Sequence, residues 1–209
     1  MILKELKPRK ALNKAFLKVK PNRTEIESFK SNLITLLDRT NDTETEEFHK
    51  NLVIDFLKKT YYDPNHFINT KGRNDLVIHN GPNADSTVGV IIEAKKPTNK
   101  VEMPQAFANT KINKQTGEQM ITTKRLNVKA FQELVLYYLR ERITHKNLEI
   151  KHLVVTNINE WFIFDAILFD RLFAQNKNLV KQFNDFSDGR LADRSEERHV
   201  GKECRSRWS

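Results

Sequence analysis

The chain is almost without cysteine: Cys204 is the only one in 209 residues. Intrachain disulfides and thiolate-based metal sites are therefore excluded. No apolar run approaches the roughly 20 residues that a membrane helix requires, and the lysines near the N-terminus are followed by no hydrophobic region. We therefore expect neither a membrane span nor a secretion signal, and we expect a cytoplasmic protein.

Other familiar chemistries lack their signatures as well. The six glycines form no Gly-rich phosphate loop ahead of a helix. No two of the six histidines form a metal-binding pair four residues apart, and none belongs to a visible catalytic triad. The Asn-Pro-Pro-Tyr string expected of an amino-methyltransferase does not occur. Satisfied or solvent-facing histidines are therefore the default interpretation.

Positive charge is in excess. The formal net charge is +9 and the sequence pI is about 9.6, which favours a polyanionic partner because Lys and Arg that neutralise phosphates release counterions. Charge alone does not distinguish DNA from RNA, and a solvated basic surface without a nucleic-acid role is the alternative. The length of 209 residues suits one domain with a sizeable core.

The two ends of the chain differ from its body. Residues 1–23 are basic and interrupted by Pro8 and Pro21, which predicts an arm with one short helix over residues 10–18. Residues 194–209 show no apolar periodicity and resemble a vector-derived read-through tail, so we do not expect them to belong to the fold. They hold five basic and three acidic residues, and their removal lowers the net charge from +9 to +7. We expect the natural protein to continue past about Asp193.

Apolar residues at helical spacing predict two helices before the first strand, over residues 24–38 and 41–59. Thr24 is the expected N-cap of the first helix. Thr43 and Glu46 match a capping box for the second.

Two short apolar runs then predict a β-hairpin. The apolar runs within residues 74–78 and 90–95 are β-branched and aliphatic, with Asp75, Glu93 and Lys95 at their ends, and the Asn-Gly-Pro-Asn string between them is typical of a turn. Side chains two apart on a strand share a face, so Glu93 and Lys95 lie together while Ala94 points away. Asp75 begins the first strand and is expected near Glu93. This is a candidate metal site.

The alternative for the Glu93 and Lys95 pair is a structural ion pair. A chain with 36 basic and 27 acidic residues contains acid-x-base triplets by chance. The triplet at 93 differs because it ends a run apolar enough to be buried on both faces, next to a strand that supplies another acid. Burial of both charges is costly unless they pair or bind a cation, so we favour the functional interpretation.

The remaining sequence predicts a mixed sheet. Residues 96–124 form a long polar stretch, either a substrate-contacting loop or plain disorder. An amphipathic helix follows over residues 131–139, then strands at 148–156 and 161–165 and one or two helices over 165–186. A helix that joins two strands suggests an α/β fold with a mixed central sheet and helices on its faces.

These features resemble the restriction-endonuclease-like, or PD-(D/E)XK, superfamily, whose pattern is Pro-Asp followed by Asp/Glu-x-Lys. Five strings of this sequence are similar to the N-terminal nuclease region of type IIG restriction enzymes. They are KGRNDLVIHNG from residue 71, IEAKKP from residue 92, QELVLYYLRER from residue 132, VVTN from residue 154 and WFIFD from residue 161. Those enzymes fuse nuclease, DNA methyltransferase and target recognition in one polypeptide. The resemblance covers roughly residues 24–193, and it implies that S-adenosylmethionine binds only a downstream part absent from this chain.

The resemblance implies a Mg²⁺ site. Asp75 and Glu93 would be its ligands, the Ala94 carbonyl would supply a further oxygen, and Lys95 would orient the attacking water and stabilise developing charge. Asn74 replaces the usual proline before the first acid. Such nucleases often take another acid from the first core helix, for which Glu47 is favoured over Glu46 because Glu46 is the expected cap.

Related nucleases also often carry a Gln-x-x-x-Tyr pair on the helix after the second strand. Here that spacing is met by Glu133 and Tyr137, with Gln132 one position early, and the resemblance implies a catalytic role for Tyr137.

Double-stranded DNA is the implied partner, and two hypotheses follow. The first is a Mg²⁺-dependent DNA endonuclease domain from a restriction-modification enzyme; the second is a DNA-binding module that kept the fold but does not cut. Five basic residues flank the predicted site and are candidates for phosphate contacts, with a solvated surface role as the equal alternative. They are Lys71, Arg73, Lys96, Lys124 and Arg125.

Overall fold

A five-stranded mixed sheet lies at the centre of the molecule, with helices packed on both of its faces. The computed structural model describes residues 6, 8–71, 74–105 and 126–190, and for residues 74 and 75 it describes the backbone alone. The predicted α/β class, with a mixed central sheet flanked by helices, is confirmed. No helix within these ranges is long and apolar enough to cross a membrane.

Helices and strands are numbered here along the described chain. The helices are α1 (Pro8–Ala11), α2 (Arg23–Arg39), α3 (Glu46–Leu57), α4 (Lys129–Leu139), α5 (Ala166–Phe169) and α6 (Lys177–Ser187). The strands are β1 (Ile68–Lys71), β2 (Asn74–His79), β3 (Val88–Ala94), β4 (His152–Thr156) and β5 (Trp161–Asp165). Helices α3, α4 and α5 each continue into one wider π-type turn, formed by Lys58–Tyr62, Arg140–Thr144 and Asp170–Ala174.

Both predicted helix starts are wrong in detail. Helix α2 is capped by Asn22, whose side chain accepts a hydrogen bond from the Glu25 backbone while the Glu25 carboxylate accepts one from the Asn22 backbone. Helix α3 is capped by Thr45, not by Thr43. Thr24 lies two residues beyond Asn22, inside α2, whereas Thr40, Asn41, Asp42, Thr43 and Thr45 all precede α3. Each of these residues has the side-chain oxygen that a cap requires, so residue type alone does not identify the cap.

The basic arm does not contain the predicted helix over residues 10–18. Helix α1 ends at Ala11, and a separate single turn of 3₁₀-helix spans Phe16–Lys18. Between them the Asn13 side chain accepts a hydrogen bond from the Ala15 backbone at 3.0 Å. Short polar side chains that bond to nearby backbone groups compete with the helical pattern, which explains the break.

The sheet order is β1-β2-β3-β4-β5. The first three strands form an antiparallel meander, which confirms the predicted hairpin between β2 and β3. Strand β4 pairs with β3 in parallel, and α4 lies in the connection between them. Parallel neighbours need a long crossover, and a helix is the usual one. Strand β5 closes the order antiparallel to β4.

Central strand β3 contributes to both cores of the molecule by alternation. Ile91 faces α4, α5 and α6, whereas Ile92 and Ala94 belong to the core against α2 and α3. Full burial of such a side chain contributes roughly 1.5–3 kcal/mol. Because successive side chains alternate, positions 93 and 95 fall on the α4 face of the sheet.

A polar network fixes the end of α4 against α5. Asp170 accepts hydrogen bonds from the Tyr138 hydroxyl at 3.2 Å, the Arg142 Nε at 2.8 Å and the Gln175 side chain at 2.8 Å. Burial alone would raise the pKa of Asp170, but these donors and the Arg142 charge hold that pKa below its ordinary value. Burial, and then the neighbouring Asp170, raises the pKa of Tyr138.

Candidate functional site

Two charged side chains are buried together where β3 ends. Glu93 is 1% exposed and Lys95 is 5% exposed, whereas charged residues are almost never fully buried unless paired. Lys95 follows β3 directly, and its backbone donates a hydrogen bond to the Thr156 carbonyl on β4 at 2.7 Å. The parallel pairing therefore continues one residue beyond the strand and fixes the backbone from which the lysine side chain projects.

The Lys95 ammonium is surrounded by four carboxylates. Its Nζ lies 2.7 Å from Glu93 Oε1 and 2.8 Å from Glu133 Oε2. Glu46 Oε1 and Glu102 Oε2 are more distant, at 3.7 and 3.8 Å. Burial alone would lower the pKa of Lys95, but the charges of Glu93 and Glu133 and their hydrogen bonds outweigh it and raise the pKa. These carboxylates therefore favour the charged form of Lys95.

Each of the other acids comes from a different element. Glu46 is the first residue of α3, Glu133 lies in the second turn of α4, and Glu102 belongs to the loop after β3. Asn99 holds that loop, because its side chain donates to the Glu102 carboxylate at 2.9 Å and accepts from the Glu102 backbone at 3.3 Å. Residues far apart in sequence therefore meet at one end of the sheet.

A second lysine borders the group. Lys129 Nζ lies 3.6 Å from Glu102 and 3.9 Å from Glu133, and its side chain is 45% exposed. We use the term Lys95 cluster for the two lysines and four glutamates, that is, Lys95, Lys129, Glu46, Glu93, Glu102 and Glu133.

The Lys95 cluster has an excess of negative charge, since four carboxylates face two ammonium groups. Carboxylate oxygens are the ligands that Mg²⁺ and similar hard cations prefer, so the donor chemistry fits a divalent cation. Within the described ranges, no three His, Cys, Asp or Glu side chains form a group that could hold a metal ion. The common neighbour of the four carboxylates is the Lys95 ammonium.

The register of the hairpin bears on Asp75. Leu76 pairs with Ile92 across β2 and β3, and both contribute to the core against α2 and α3. The next position outward on each strand is Asp75 and Glu93, so both positions fall on the opposite, α4 face of the sheet. The backbone arrangement is therefore the one expected from the sequence. The Asp75 side chain lies outside the described residues.

The acid that reaches the cluster from the first core helix is Glu46, not the predicted Glu47. Glu47 pairs with Lys50 one turn away at 3.0 Å, and its side chain is 62% exposed. Glu46 is also not the capping residue that the sequence suggested, because the cap of α3 is Thr45 and Glu46 already belongs to the first helical turn.

Helix α4 presents Glu133 to the cluster and Tyr137 to the core. Glu133, noted in the sequence only for its spacing to Tyr137, contacts Lys95 directly. Tyr137 is 9% exposed, packs in the core on the α4 face and lies with its ring 5.9 Å from the Arg140 guanidinium. These are the surroundings of a packing residue, and the catalytic role of Tyr137 stays a prediction.

The Ala94 side chain packs in the core against α2 and α3, as expected from the alternation. The role of its carbonyl as a ligand stays a prediction.

Of the five residues predicted to contact phosphates, Lys71 and Lys96 lie within the described part of the chain. Lys71 Nζ lies 3.1 Å from Glu141, whose side chain is only 2% exposed, so this lysine neutralises a buried acid. Lys96 is half-buried beside Lys95. Arg73, Lys124 and Arg125 lie outside the described residues.

Two members of the cluster escaped the sequence analysis altogether. Glu102 lies in a polar stretch without periodicity, and Lys129 opens a helix whose visible signal was apolar. Glu102 and Lys129 share only one feature that the sequence shows: each is a charged residue close to the segment 106–125, which lies outside the described residues. Such a signal has no specificity in a chain with 63 charged residues, 36 basic and 27 acidic.

A family model described as Domain of unknown function (DUF7149) matches residues 6–203. The match includes residues 194–203, which belong to the predicted foreign tail. Neither the curated proteins nor the solved structures contain a match to this chain. Because the family model covers nearly the whole chain, this protein belongs to the family Domain of unknown function (DUF7149).

Proposed function

We propose that the Lys95 cluster is the active site of a divalent-cation-dependent nuclease that hydrolyses phosphodiester bonds in DNA. The observation that carries this proposal is the burial of Glu93 and Lys95 at the end of the central strand, beside the register position of Asp75. A buried acid and base with no function are expected to neutralise one another. Here three further carboxylates approach the same lysine and leave net negative charge.

The roles follow from charge and position. Asp75, Glu93 and the Ala94 carbonyl would hold Mg²⁺. Bound there, the ion would polarise a phosphoryl oxygen and lower the pKa of a bound water. The Lys95 ammonium supplies a fixed positive charge where negative charge develops on the phosphate during attack. Glu133, 2.8 Å from that ammonium, fixes its position, and Glu46 and Glu102 complete the negative surroundings.

DNA as substrate is supported by the net charge of +9. A protein that neutralises phosphates gains affinity by releasing counterions, and a nuclease must hold a polyanion against its own acidic site. The wider proposal is that this chain is the N-terminal part of a type IIG restriction enzyme. The coding sequence downstream of Asp193 tests that wider proposal, because methyltransferase motifs should follow there.

The adjacent acids Glu46 and Glu47 offer a matched pair of variants for testing the site. Both are glutamates in the first turn of α3, but only Glu46 approaches Lys95. With Mg²⁺ and supercoiled plasmid, Glu93→Gln should lower the nicking rate by more than about 100-fold, since it removes a proposed ligand. Glu46→Gln should lower it about 10–100-fold, as expected for an outer partner of a metal site, and Glu47→Gln should leave it unchanged.

Equal rates for Glu93→Gln and the unmodified chain would end the nuclease proposal. The second readout does not depend on cleavage: it is the rise in melting temperature that Mg²⁺ produces. It should be lost in Glu93→Gln and kept in Glu47→Gln.

The second candidate function is a DNA-binding module that retains the fold without cleaving. It is favoured by one observation: the carboxylates of the described residues converge on an ammonium group rather than on one another. This candidate predicts DNA binding with no nicking in Mg²⁺ or Mn²⁺. It also predicts that Glu93→Gln changes neither DNA affinity nor the response of stability to these ions.

A further inference from the structure

Positive charge is concentrated in one short segment. Residues 8–23 contain six Lys or Arg residues and no Asp or Glu. These 16 residues therefore account for six of the nine net positive charges of the whole chain. We use the term basic segment for residues 8–23. Its cations are Arg9, Lys10, Lys14, Lys18, Lys20 and Arg23.

The cations of the basic segment are not neutralised by the fold. All of them are exposed, and in the described part of the chain no carboxylate lies within ion-pair distance of any of the six. Two exposed lysines elsewhere on the surface are paired instead: Lys30 with Glu27 at 3.5 Å and Lys59 with Asp55 at 3.2 Å. A cluster of unpaired like charges repels itself, and a polyanion relieves that repulsion.

Exposed apolar side chains alternate with these cations. Leu12, Phe16, Leu17 and Val19 are 53%, 67%, 42% and 66% exposed, and none belongs to either core. A segment with this composition suits either a nucleic acid or an anionic lipid surface. Binding in the plane of a membrane, however, relies on a continuous amphipathic helix that separates the two kinds of side chain.

The basic segment has no such helix. Helix α1 has four residues and the turn at Phe16–Lys18 has three, with Asn13 interrupting between them. Charges carried on short, separate turns can contact phosphates without a shared apolar face. The geometry therefore favours nucleic acid over lipid.

We propose that the basic segment binds the phosphate backbone of duplex DNA without sequence preference. The proposal rests on the proposed function for its choice of DNA as the polyanion, and it requires no cleavage. Such contacts provide affinity and position, while they carry no information about sequence. The segment would thereby hold DNA on a protein whose candidate site is itself negatively charged.

The test uses the full 209-residue chain in EDTA, so that cleavage does not contribute. Fluorescence anisotropy measures the Kd for a labelled 25-base-pair duplex across a series of salt concentrations. The triple variant Lys10→Gln, Lys14→Gln, Lys18→Gln is compared with a control triple that removes the same charge from exposed lysines outside the segment. The control substitutions are Lys30→Gln, Lys59→Gln and Lys177→Gln.

Each phosphate contact contributes about 0.9 to the slope of log affinity against log salt. The segment triple should therefore lower the slope by about 2–3 and weaken binding at least about tenfold at low salt. The control triple should change the slope by less than about 1 and the affinity by less than about threefold. All six positions are exposed, so both triples should melt as the unmodified chain does.

Equal weakening of DNA binding by the two triple variants would overturn the proposal, because exposed lysines outside the basic segment would then contribute as much to affinity as those within it. Unchanged binding by the segment triple would overturn it as well. A third arm replaces DNA with phosphatidylserine vesicles. Segment-dependent partitioning onto these vesicles at salt concentrations where no duplex is bound would assign the segment to a membrane surface.

A different measurement, the plasmid-nicking rate, tests the nuclease proposal. Unchanged nicking by Glu93→Gln would refute that proposal, and this variant should bind the duplex in EDTA at least as well as the unmodified chain.

Discussion

Replacing Lys95 with methionine tests the physical basis of the site without any assay of activity. Methionine keeps much of the length of the side chain and removes the charge. Glu93, 1% exposed, would then lie in a buried position without its ammonium partner at 2.7 Å. Glu133 would lose its contact at 2.8 Å in the same step.

The size of the effect follows from those distances. At an effective dielectric constant of about 20, two unit charges 2.7 Å apart attract by about 6 kcal/mol. Most of that attraction is offset by the desolvation of both groups. Removal of one partner of a buried pair typically lowers the free energy of unfolding by about 3–5 kcal/mol, because the other charge stays buried. For a domain of this size the melting temperature should fall by about 6–20 °C.

A divalent cation should reverse part of that loss. In Lys95→Met the carboxylates keep their negative charge without the internal cation, so Mg²⁺ should bind more tightly than it does to the unmodified chain. At 100 times its Kd, a ligand that binds only the folded state adds about 2.7 kcal/mol. Differential scanning fluorimetry in EDTA and in a Mg²⁺ series measures both effects.

Lys59→Met is the matched control. Lys59 pairs with Asp55 at 3.2 Å, but their side chains are 59% and 50% exposed, and exposed pairs contribute about 1 kcal/mol or less. The reasoning is refuted if Lys95→Met melts like Lys59→Met in EDTA. It is equally refuted if Mg²⁺ raises the melting temperature of Lys95→Met no more than that of the unmodified chain.

Three further predictions concern stability. Lys71→Met should lower the free energy of unfolding by about 1–3 kcal/mol because it leaves the buried Glu141 carboxylate without its partner. A double-mutant cycle with Glu141→Gln, measured by urea unfolding, should show a coupling energy between the two residues. Additive losses in the two single variants would contradict this prediction. Asp170→Asn should be destabilising by about 1–3 kcal/mol at pH 7. Because the folded-state pKa of Asp170 is lowered, its contribution is present above the unfolded pKa of about 4 and disappears as the pH falls through the folded value. Urea melts at pH 7 and pH 3 should therefore show the difference between the two proteins shrinking, and a constant difference would count against the assignment. Phe131→Ala, which removes a ring 5.1–6.1 Å from three other phenylalanines, should lose about 3–5 kcal/mol; a loss under 1 kcal/mol would contradict the packing.

The sequence predicted the structure best where the periodicity of apolar residues determines which face of an element a side chain lies on. The two-residue period of a strand placed Glu93 and Lys95 on one face and Ala94 on the other, and the core membership of Ile91, Ile92 and Ala94 confirms it. The hairpin, the crossover helix and the sheet class could be predicted for the same reason. Each rests on a local pattern of apolar residues.

The parts that failed depend on tertiary contacts. Glu46 rather than Glu47 is the neighbour of Lys95, and the choice between these adjacent acids depends on how α3 packs against the sheet. Leu148, predicted to lie in a strand, is 72% exposed and precedes β4. Glu102 reaches Lys95 from a loop with no period at all, so no local signal places it there.

The alternation along β3 also limits how this protein can change in length. A single residue inserted or deleted just before Glu93 would rotate the acid and the lysine into the aliphatic layer beneath α2 and α3 and would bring Ala94 to the site. The connection between β2 and β3, by contrast, lies outside the paired registers and can absorb such changes. Related chains should therefore vary in length at that connection and keep the spacing between Ile91, Glu93 and Lys95 unchanged.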